Sequence, residues 1–165
     1  TLLAENTAGS ALGVDPVQVN SGTLGGKGII AGQVTIGDGT SVEAFLAPGA
    51  SSRRSVATLT LQDSLTFAEF SNYLWKLNTK KARADEVVAS GVSIGASALF
   101  QARGIGNEPL GVGTTFTAIQ NTATTPIVGQ FTNLADGTVI TVSGIRLQAD
   151  YEGGDGNDLT LTVVP

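Results

Sequence analysis

The amino-acid sequence predicts an all-β protein made of short strands separated by tight turns. Runs of Val, Ile and Thr are typical of strands, and 22 glycines interrupt these runs along the 165 residues. The composition is 41% hydrophobic and 14% charged, which is too apolar for a disordered chain. The length suits one domain with a sizeable core, so we treat residues 1–165 as a single domain.

Six short apolar runs mark the predicted strands. They recur at steps of roughly 15 to 25 residues, the range expected of a solenoid coil. Glycine pairs and Asp-Gly pairs lie between them, as in "GTLGGKGIIAGQVTIGDGT" (22–40), because these residues favour positive φ and tight turns. The predicted strands are 17–19, 34–36, 59–61, 74–77, 92–94 and 116–119.

Two all-β architectures fit this pattern. In a solenoid, stacked coils of short strands bury a column of aliphatic side chains, and each coil pairs its backbone with the next. An antiparallel sandwich uses the same residue types, so the pattern alone leaves both architectures open. The stretch 67–77 is also ambiguous, since its aromatic and Leu residues fit both an amphipathic helix and a strand; we predict the strand.

The last third of the chain has longer alternating runs, at 138–151 and 158–164, joined by "EGGDGN". This pattern predicts an antiparallel hairpin. A hairpin there could close the end of a solenoid, where an open coil would otherwise present unpaired N–H and C=O groups. We therefore assign residues 13–125 to solenoid rungs and residues 126–165 to capping strands.

Charge and missing residue types exclude several functions. The net charge is −5, so no nucleic-acid partner is expected, because phosphate binding needs a dense cationic surface. The chain has no Cys and no His, which excludes disulfides, thiolate metal sites and histidine base catalysis. No run approaches the roughly 20 apolar residues that span a bilayer, so we expect no membrane insertion of this chain.

Several blocks of the sequence resemble the C-terminal region of bacterial proteins with autotransporter-associated β-strand repeats. The blocks are "VQVNSGTLGGKGIIAGQVTIGDG", "AFLAPGAS", "ADEVVASGVSIG", "GQFTNLADGT" and "YEGGDGNDLTLTVV". The resemblance implies an exported protein of the bacterial cell surface whose repeats form a right-handed parallel β-helix. It also implies that residues 1–12 are the tail of a preceding repeat. In such proteins "LTVVP" leads into a PEP-CTERM-type sorting signal, whose removal by processing is a hypothesis.

We predict a structural or adhesive extracellular protein that is not an enzyme. A stack of coils is rigid, and unpaired strand edges at its ends can join by strand addition. We expect Leu2, Leu3 and Ala4 to complete the first coil of their own subunit or to insert, as an exchangeable strand, into the next one. A head-to-tail contact of this kind that does not close generates a filament of copies of this chain. Other surface proteins are alternative partners.

A carbohydrate-binding module of a larger surface protein is the alternative function. The basic stretch "KLNTKKARAD" could contact an extracellular acidic polysaccharide or an acidic neighbouring subunit, although charge runs usually face water. Two aromatic residues could form a sugar-stacking surface, but aromatic residues in strands more often pack in the core. Arg53 and Arg54 form a weaker basic pair. The candidate contacts are Tyr73, Trp75, Lys76, Lys80, Lys81 and Arg83.

"GGDGNDLTL" (153–161) resembles one calcium-binding nonapeptide of the repeats-in-toxin type. That motif works because stacked copies direct oxygen ligands at one hard cation. Only one copy is present, so we expect a plain hairpin turn and no cofactor, and Asp155, Asn157 and Asp158 are weak calcium candidates.

A β-helix polysaccharide lyase or hydrolase is the third and least favoured function. Such an enzyme would use carboxylates, and nothing in their spacing marks a pair at the separation that glycoside hydrolysis requires. The acids available for this role are Asp63, Asp85, Glu86, Asp136 and Asp150.

Overall fold

The computed structural model describes residues 1–40, 42–50 and 54–165, and Arg53 of the predicted basic pair lies outside them. Strands dominate the described residues, whose only helical element is the short 3₁₀ turn Thr79–Lys81. No described segment forms a helix that is long and apolar enough to cross a membrane. The strands are β1 (Leu2–Ala4), β2 (Val17–Val19), β3 (Gly22–Gly26), β4 (Ile29–Ile30), β5 (Val34–Ile36), β6 (Ala44–Pro48), β7 (Thr58–Leu61), β8 (Leu65–Phe67), β9 (Ser71–Asn78), β10 (Arg83–Ala84), β11 (Glu86–Ala89), β12 (Val92–Ile94), β13 (Leu99–Ile105), β14 (Thr115–Asn121), β15 (Val139–Val142), β16 (Ile145–Gly153) and β17 (Asp158–Val163).

Three parallel sheets make up most of the molecule. Sheet A contains β1, β3, β6, β9 and β13; sheet B contains β2, β5, β8 and β12; sheet C contains β4, β7, β11 and β14. From β2 to β14 the chain visits the sheets in the constant order B, A, C, and the two-residue β10 is an added antiparallel partner of β9. We call residues 17–121 the parallel stack. The all-β prediction is confirmed, and the antiparallel sandwich is wrong, because these strands pair in parallel.

Register places like side chains above one another inside the stack. In sheet A the partners run from Leu24 to Leu46 to Tyr73 to Phe100, and all four side chains are buried. Each strand is short because a glycine or polar turn ends it after one to three inward side chains. Each of the six short predicted strands lies within an observed one.

The helical interpretation of residues 67–77 is wrong, because Ser71–Asn78 is the strand β9. Phe70, which the helical spacing would have buried, lies in the turn before that strand with φ 59° and is 44% exposed. Inward burial of Tyr73, Trp75 and Leu77 instead follows the two-residue period of a strand.

Residues 126–163, which we call the antiparallel cap, continue sheet C with the order β14-β17-β16-β15. The predicted hairpin between β16 and β17 is present. The single predicted run 138–151 is wrong, because Ser143 and Gly144 turn the chain at φ 50° and 78° and split it into β15 and β16. Positive φ at both central residues is what a two-residue hairpin turn needs.

The cap also covers the last strand of the other two sheets. On sheet B, the backbone of Val128 bonds to Val92 and Ile94 at 2.9 and 2.8 Å. On sheet A, the Asn133 side chain accepts from the Phe100 N–H at 2.9 Å and donates to the Phe100 carbonyl at 2.8 Å. Each of the three last parallel strands therefore has a partner beyond it.

The opposite end of the stack is formed by residues 1–19. β1 pairs in parallel with β3 of its own chain, so Leu2–Ala4 form the edge of sheet A in this structure. Gly26 makes this pairing possible: it has φ +114°, and a Cβ there would lie 2.0 Å from the Ala4 carbonyl oxygen. Within the described residues, β1 and β2 each have a strand partner on one side only.

Candidate functional site

A buried acid–base pair lies at a corner between sheets A and C. Asp85 follows β10 and is fully buried, and its Oδ2 lies 3.7 Å from the Nζ of Lys76 on β9. The Asp85 carboxylate also accepts from the backbone N–H of Ala57 at 2.9 Å and of Lys76 at 3.1 Å. Lys76 Nζ donates to the carbonyl oxygen of Gly49 at 2.7 Å. The pair thus joins β9 to the segments around residues 49 and 57.

Burial controls the ionisation of this pair. It raises the pKa of Asp85 to about 7, although the Ala57 N–H and the Lys76 ammonium act in the opposite direction. Burial also lowers the pKa of Lys76, and the attraction of Asp85 opposes that change. A carboxylate enclosed by backbone donors has a structural role at this corner, and its burial keeps it from a polymeric substrate.

The two aromatic glycan candidates belong to the core. Tyr73 and Trp75 are both 0% exposed, so neither ring offers a face on which a sugar can stack. The Tyr73 hydroxyl donates to the Ala118 carbonyl at 2.7 Å, and burial raises its pKa well above the usual value. Their rings pack against Phe100, at centroid distances of 5.5 Å for Tyr73 and 5.8 Å for Trp75.

The predicted basic stretch is divided by the fold. Lys80 and Lys81 are exposed on the 3₁₀ turn, whose first turn is capped by the Asn78 side chain bonded to the Lys81 N–H at 3.1 Å. Arg83 is exposed beside a groove over sheet C that Glu86 also lines. Lys76 faces the outside of sheet A. The four residues therefore do not form one surface.

A groove of about 560 Å³ runs over the outer face of sheet A. Leu74 and Gln101 are register partners in its floor, and Lys76 and Arg103 are the next outward pair. Gln101 Nε2 donates to Asn72 Oδ1 at 2.6 Å, which connects β13 to β9. The sequence analysis missed Gln101 and Arg103, because only the register of β9 with β13 places them beside Lys76.

The candidate acids are mostly dispersed. Asp63 accepts from its neighbour Ser64 in an exposed turn, and Glu86 accepts from Thr58 on the outer face of sheet C. Asp136 and Asp150 line one shallow cleft of about 430 Å³ in the cap, where they accept from the backbone N–H of Tyr151 and Glu152 respectively. The described ranges contain no group of three His, Cys, Asp or Glu residues that could hold a metal ion.

The calcium candidates lie in the turn between β16 and β17. Asp158 is 6% exposed, and its Oδ1 accepts from the Asn121 N–H at 2.8 Å. Asn157 is 8% exposed and donates through Nδ2 to the carbonyls of Ala123 and Thr125. Both side chains therefore hold the end of β14 and the loop after it. Asp155 is exposed in the same turn.

Comparison with protein-family models, curated proteins and solved structures finds no match to this chain. The resemblance to autotransporter-associated repeats therefore stays a prediction from the sequence blocks.

Proposed function

We propose that this chain is a structural segment of an exported bacterial surface protein, a right-handed parallel β-helix that acts as a rigid spacer. The observation that supports this proposal most directly is the constant order in which the strands visit the three parallel sheets. Parallel crossover connections are right-handed in nearly all proteins, and each added coil extends such a stack by about 4.8 Å. In-register buried ladders make the stack stiff, since each coil packs on its neighbours over its whole width.

The two ends of the spacer differ, and this limits how copies could join. The C-terminal end is covered by the cap, whereas β1 and β2 leave one edge without a strand partner among the described residues. A head-to-tail filament needs both ends open, so the covered end argues against it. In a chain of residues 1–165 alone, the edge that a second copy offers is its own N-terminal end. A contact of two identical ends closes at a dimer.

The apolar character of the N-terminal end favours such a contact. Leu2 is 49%, Leu3 38% and Val14 79% exposed there. Unpaired edges with exposed apolar residues are prone to pair with other strands. We therefore place strand addition at β1 and β2 and leave the capped end to face outward.

Light scattering and negative-stain microscopy of the whole chain at high concentration test this proposal. We expect monomers and dimers, with Leu3→Lys shifting the mixture to monomers because an edge lysine must lose water to pair. Val112→Lys is the matched control, since Val112 is 66% exposed in a loop outside the strands. Long filaments would contradict the dimer and support the head-to-tail arrangement. Dimers that Leu3→Lys does not weaken would show that the contact lies elsewhere.

A carbohydrate-binding module is the second candidate, and the groove over sheet A favours it. Arg103 is exposed in that groove beside Gln101 and Leu74, which offers a cation, an amide and an apolar surface to an anionic sugar. Calorimetry with polygalacturonate as the probe should give at least tenfold weaker binding for Arg103→Gln. Arg146→Gln, an exposed arginine in the cap, is the control; equal loss in both variants would mean nonspecific charge attraction.

A further inference from the structure

The turn that joins β16 to β17 contains a buried amide oxygen without a partner. Asn157 Nδ2 donates to the carbonyl oxygens of Ala123 and Thr125, which fixes the orientation of the amide, because a flipped amide would set its oxygen against two other acceptors. Asn157 Oδ1 is buried and accepts no hydrogen bond from any described residue. A buried acceptor without a hydrogen bond lowers the stability of the folded state. A bound ligand would supply the missing contact to this oxygen.

A buried carboxylate lies in the next residue. Asp158 Oδ1 accepts from the Asn121 N–H, and Oδ2 lies against the backbone of Gly154, where a Cβ would be 2.0 Å from it. Asp155, with a second carboxylate, is exposed in the same turn. Among the described residues, neither carboxylate forms an ion pair with Lys or Arg. The turn therefore concentrates negative charge that no protein cation neutralises.

We propose that this turn binds one Ca²⁺ ion through the side-chain oxygens of Asp155, Asn157 and Asp158. A hard cation there would satisfy the unpaired amide oxygen and neutralise the two carboxylates. Water completes the coordination shell of six to eight oxygens that Ca²⁺ takes. Three protein ligands give weak binding, in the range of about 10⁻⁴ to 10⁻³ M that is found in extracellular modules.

Ca²⁺ bound in this way stabilises the antiparallel cap. Asp158 and Asn157 hold the Asn121 N–H and the loop carbonyls of Ala123 and Thr125, so an ion that fixes both side chains also fixes the end of β14. The inference does not depend on the proposed spacer role, since it concerns only contacts within the chain.

Thermal melting of the whole chain in CaCl₂ tests the proposal, with choline chloride keeping the ionic strength constant. At about ten times the dissociation constant the folded-to-unfolded ratio should rise about tenfold, which raises Tm by about 3 to 6 °C in a protein of this size. MgCl₂ should have less effect, because Mg²⁺ demands near-ideal octahedral geometry and gives up its water reluctantly.

Two variants assign the effect to the turn. Asp155→Ala should abolish the Ca²⁺-dependent rise, measured against the melting temperature of the same variant without Ca²⁺. Asp15→Ala, an exposed acid at the far end of the stack, should keep the full rise. A melt that CaCl₂ does not change, or a rise that Asp155→Ala retains or that Mg²⁺ reproduces in full, overturns the proposal.

Discussion

The parallel stack and the antiparallel cap satisfy their backbones in different ways. Within the stack, strands bond in parallel to neighbouring strands of the same sheet, and this arrangement is found in all three sheets. The cap pairs β17 with β14 and the backbone of Val128 with sheet B, and it adds side chains that bond to backbone groups which no strand pairs. The Asn133 side chain accepts a hydrogen bond from the Phe100 N–H and donates one to the Phe100 carbonyl. The Asp158 carboxylate accepts from the Asn121 N–H, and the Tyr151 hydroxyl accepts from the Phe131 N–H.

This difference indicates which regions of the protein tolerate amino-acid substitution and which require particular side chains. A stack coil needs apolar side chains at inward positions and small residues at corners, and many sequences meet that requirement. The cap needs particular amides, carboxylates and a phenol at single positions, because each replaces one lost backbone partner. We therefore expect polar substitutions to be most costly in the cap and at the one stack corner that uses a buried acid.

The largest effect should come from Phe131, the cap side chain that enters the core of the stack. Its ring lies 5.1 Å from that of Phe67 and 5.6 Å from that of Phe100, measured between centroids, and it is 1% exposed. Phe131→Ala should lower the free energy of unfolding by about 3–5 kcal/mol, because it removes a buried ring and leaves a cavity. Urea denaturation measures the loss.

Phe70→Ala is the matched control, since Phe70 is 44% exposed in a turn of the stack. It should change stability by less than about 1 kcal/mol. Equal losses in the two variants would contradict the view that the cap is anchored in the core through Phe131.

Asp85 should make the stability of the stack depend on pH. Its pKa in the folded state is raised to about 7 from 3.8, so the folded state binds more protons than the unfolded state between these values. The contribution of Asp85 to the free energy of unfolding is therefore highest below about pH 4. It falls by roughly 2–4 kcal/mol as the pH rises toward 7. Asp85→Asn removes the ionisable group, so this fall should be absent from the variant.

Melting temperatures of both proteins between pH 4 and 8 check this expectation. The difference between the original chain and Asp85→Asn should shrink or reverse as pH rises, and Asp63→Asn, in an exposed turn, should follow the original chain. Parallel pH profiles for Asp85→Asn and the original chain would mean that Lys76 and the backbone donors fully compensate the buried charge.

The smallest of the three effects should come from Asn133. Asn133→Ala removes both hydrogen bonds to the Phe100 backbone and should cost about 1–2 kcal/mol, with faster hydrogen exchange at the Phe100 amide. Asn133→Asp keeps an acceptor for the Phe100 N–H but loses the donor, so it should restore exchange protection in part. Asn107→Ala, in an exposed loop, should have neither effect; unchanged exchange in Asn133→Ala would show that Asn133 does not act as the substitute strand.

The strand positions could be predicted from sequence because they depend on local pattern. The runs at 17–19, 34–36 and 92–94 alternate apolar and polar residues between glycines, and this two-residue period matches the pleat of a strand. The turn at Ser143 was missed for the same local reason, since its serine and glycine do not interrupt the alternation of the residues around them.

The candidate sites were less predictable because they depend on contacts between distant residues. The basic stretch around Lys80 looks like one patch in the sequence, yet the fold buries Lys76 beside Asp85 and leaves Arg83 over another sheet. The sequence favours the core for Trp75 but leaves a surface role open, and its contact with the ring of Phe100 decides for the core.

The sequence by itself determined the strands, the glycine turns, the C-terminal hairpin and the absence of thiol or histidine chemistry. These features follow from side-chain type, period and backbone preference, all of which act over a few residues. Only the tertiary structure decided that residues 17–121 pair in parallel, that Asp85 is buried against Lys76, and that Asn157 has an unpaired oxygen. Each of these depends on which strands pair with one another, and this is set by packing of the whole chain.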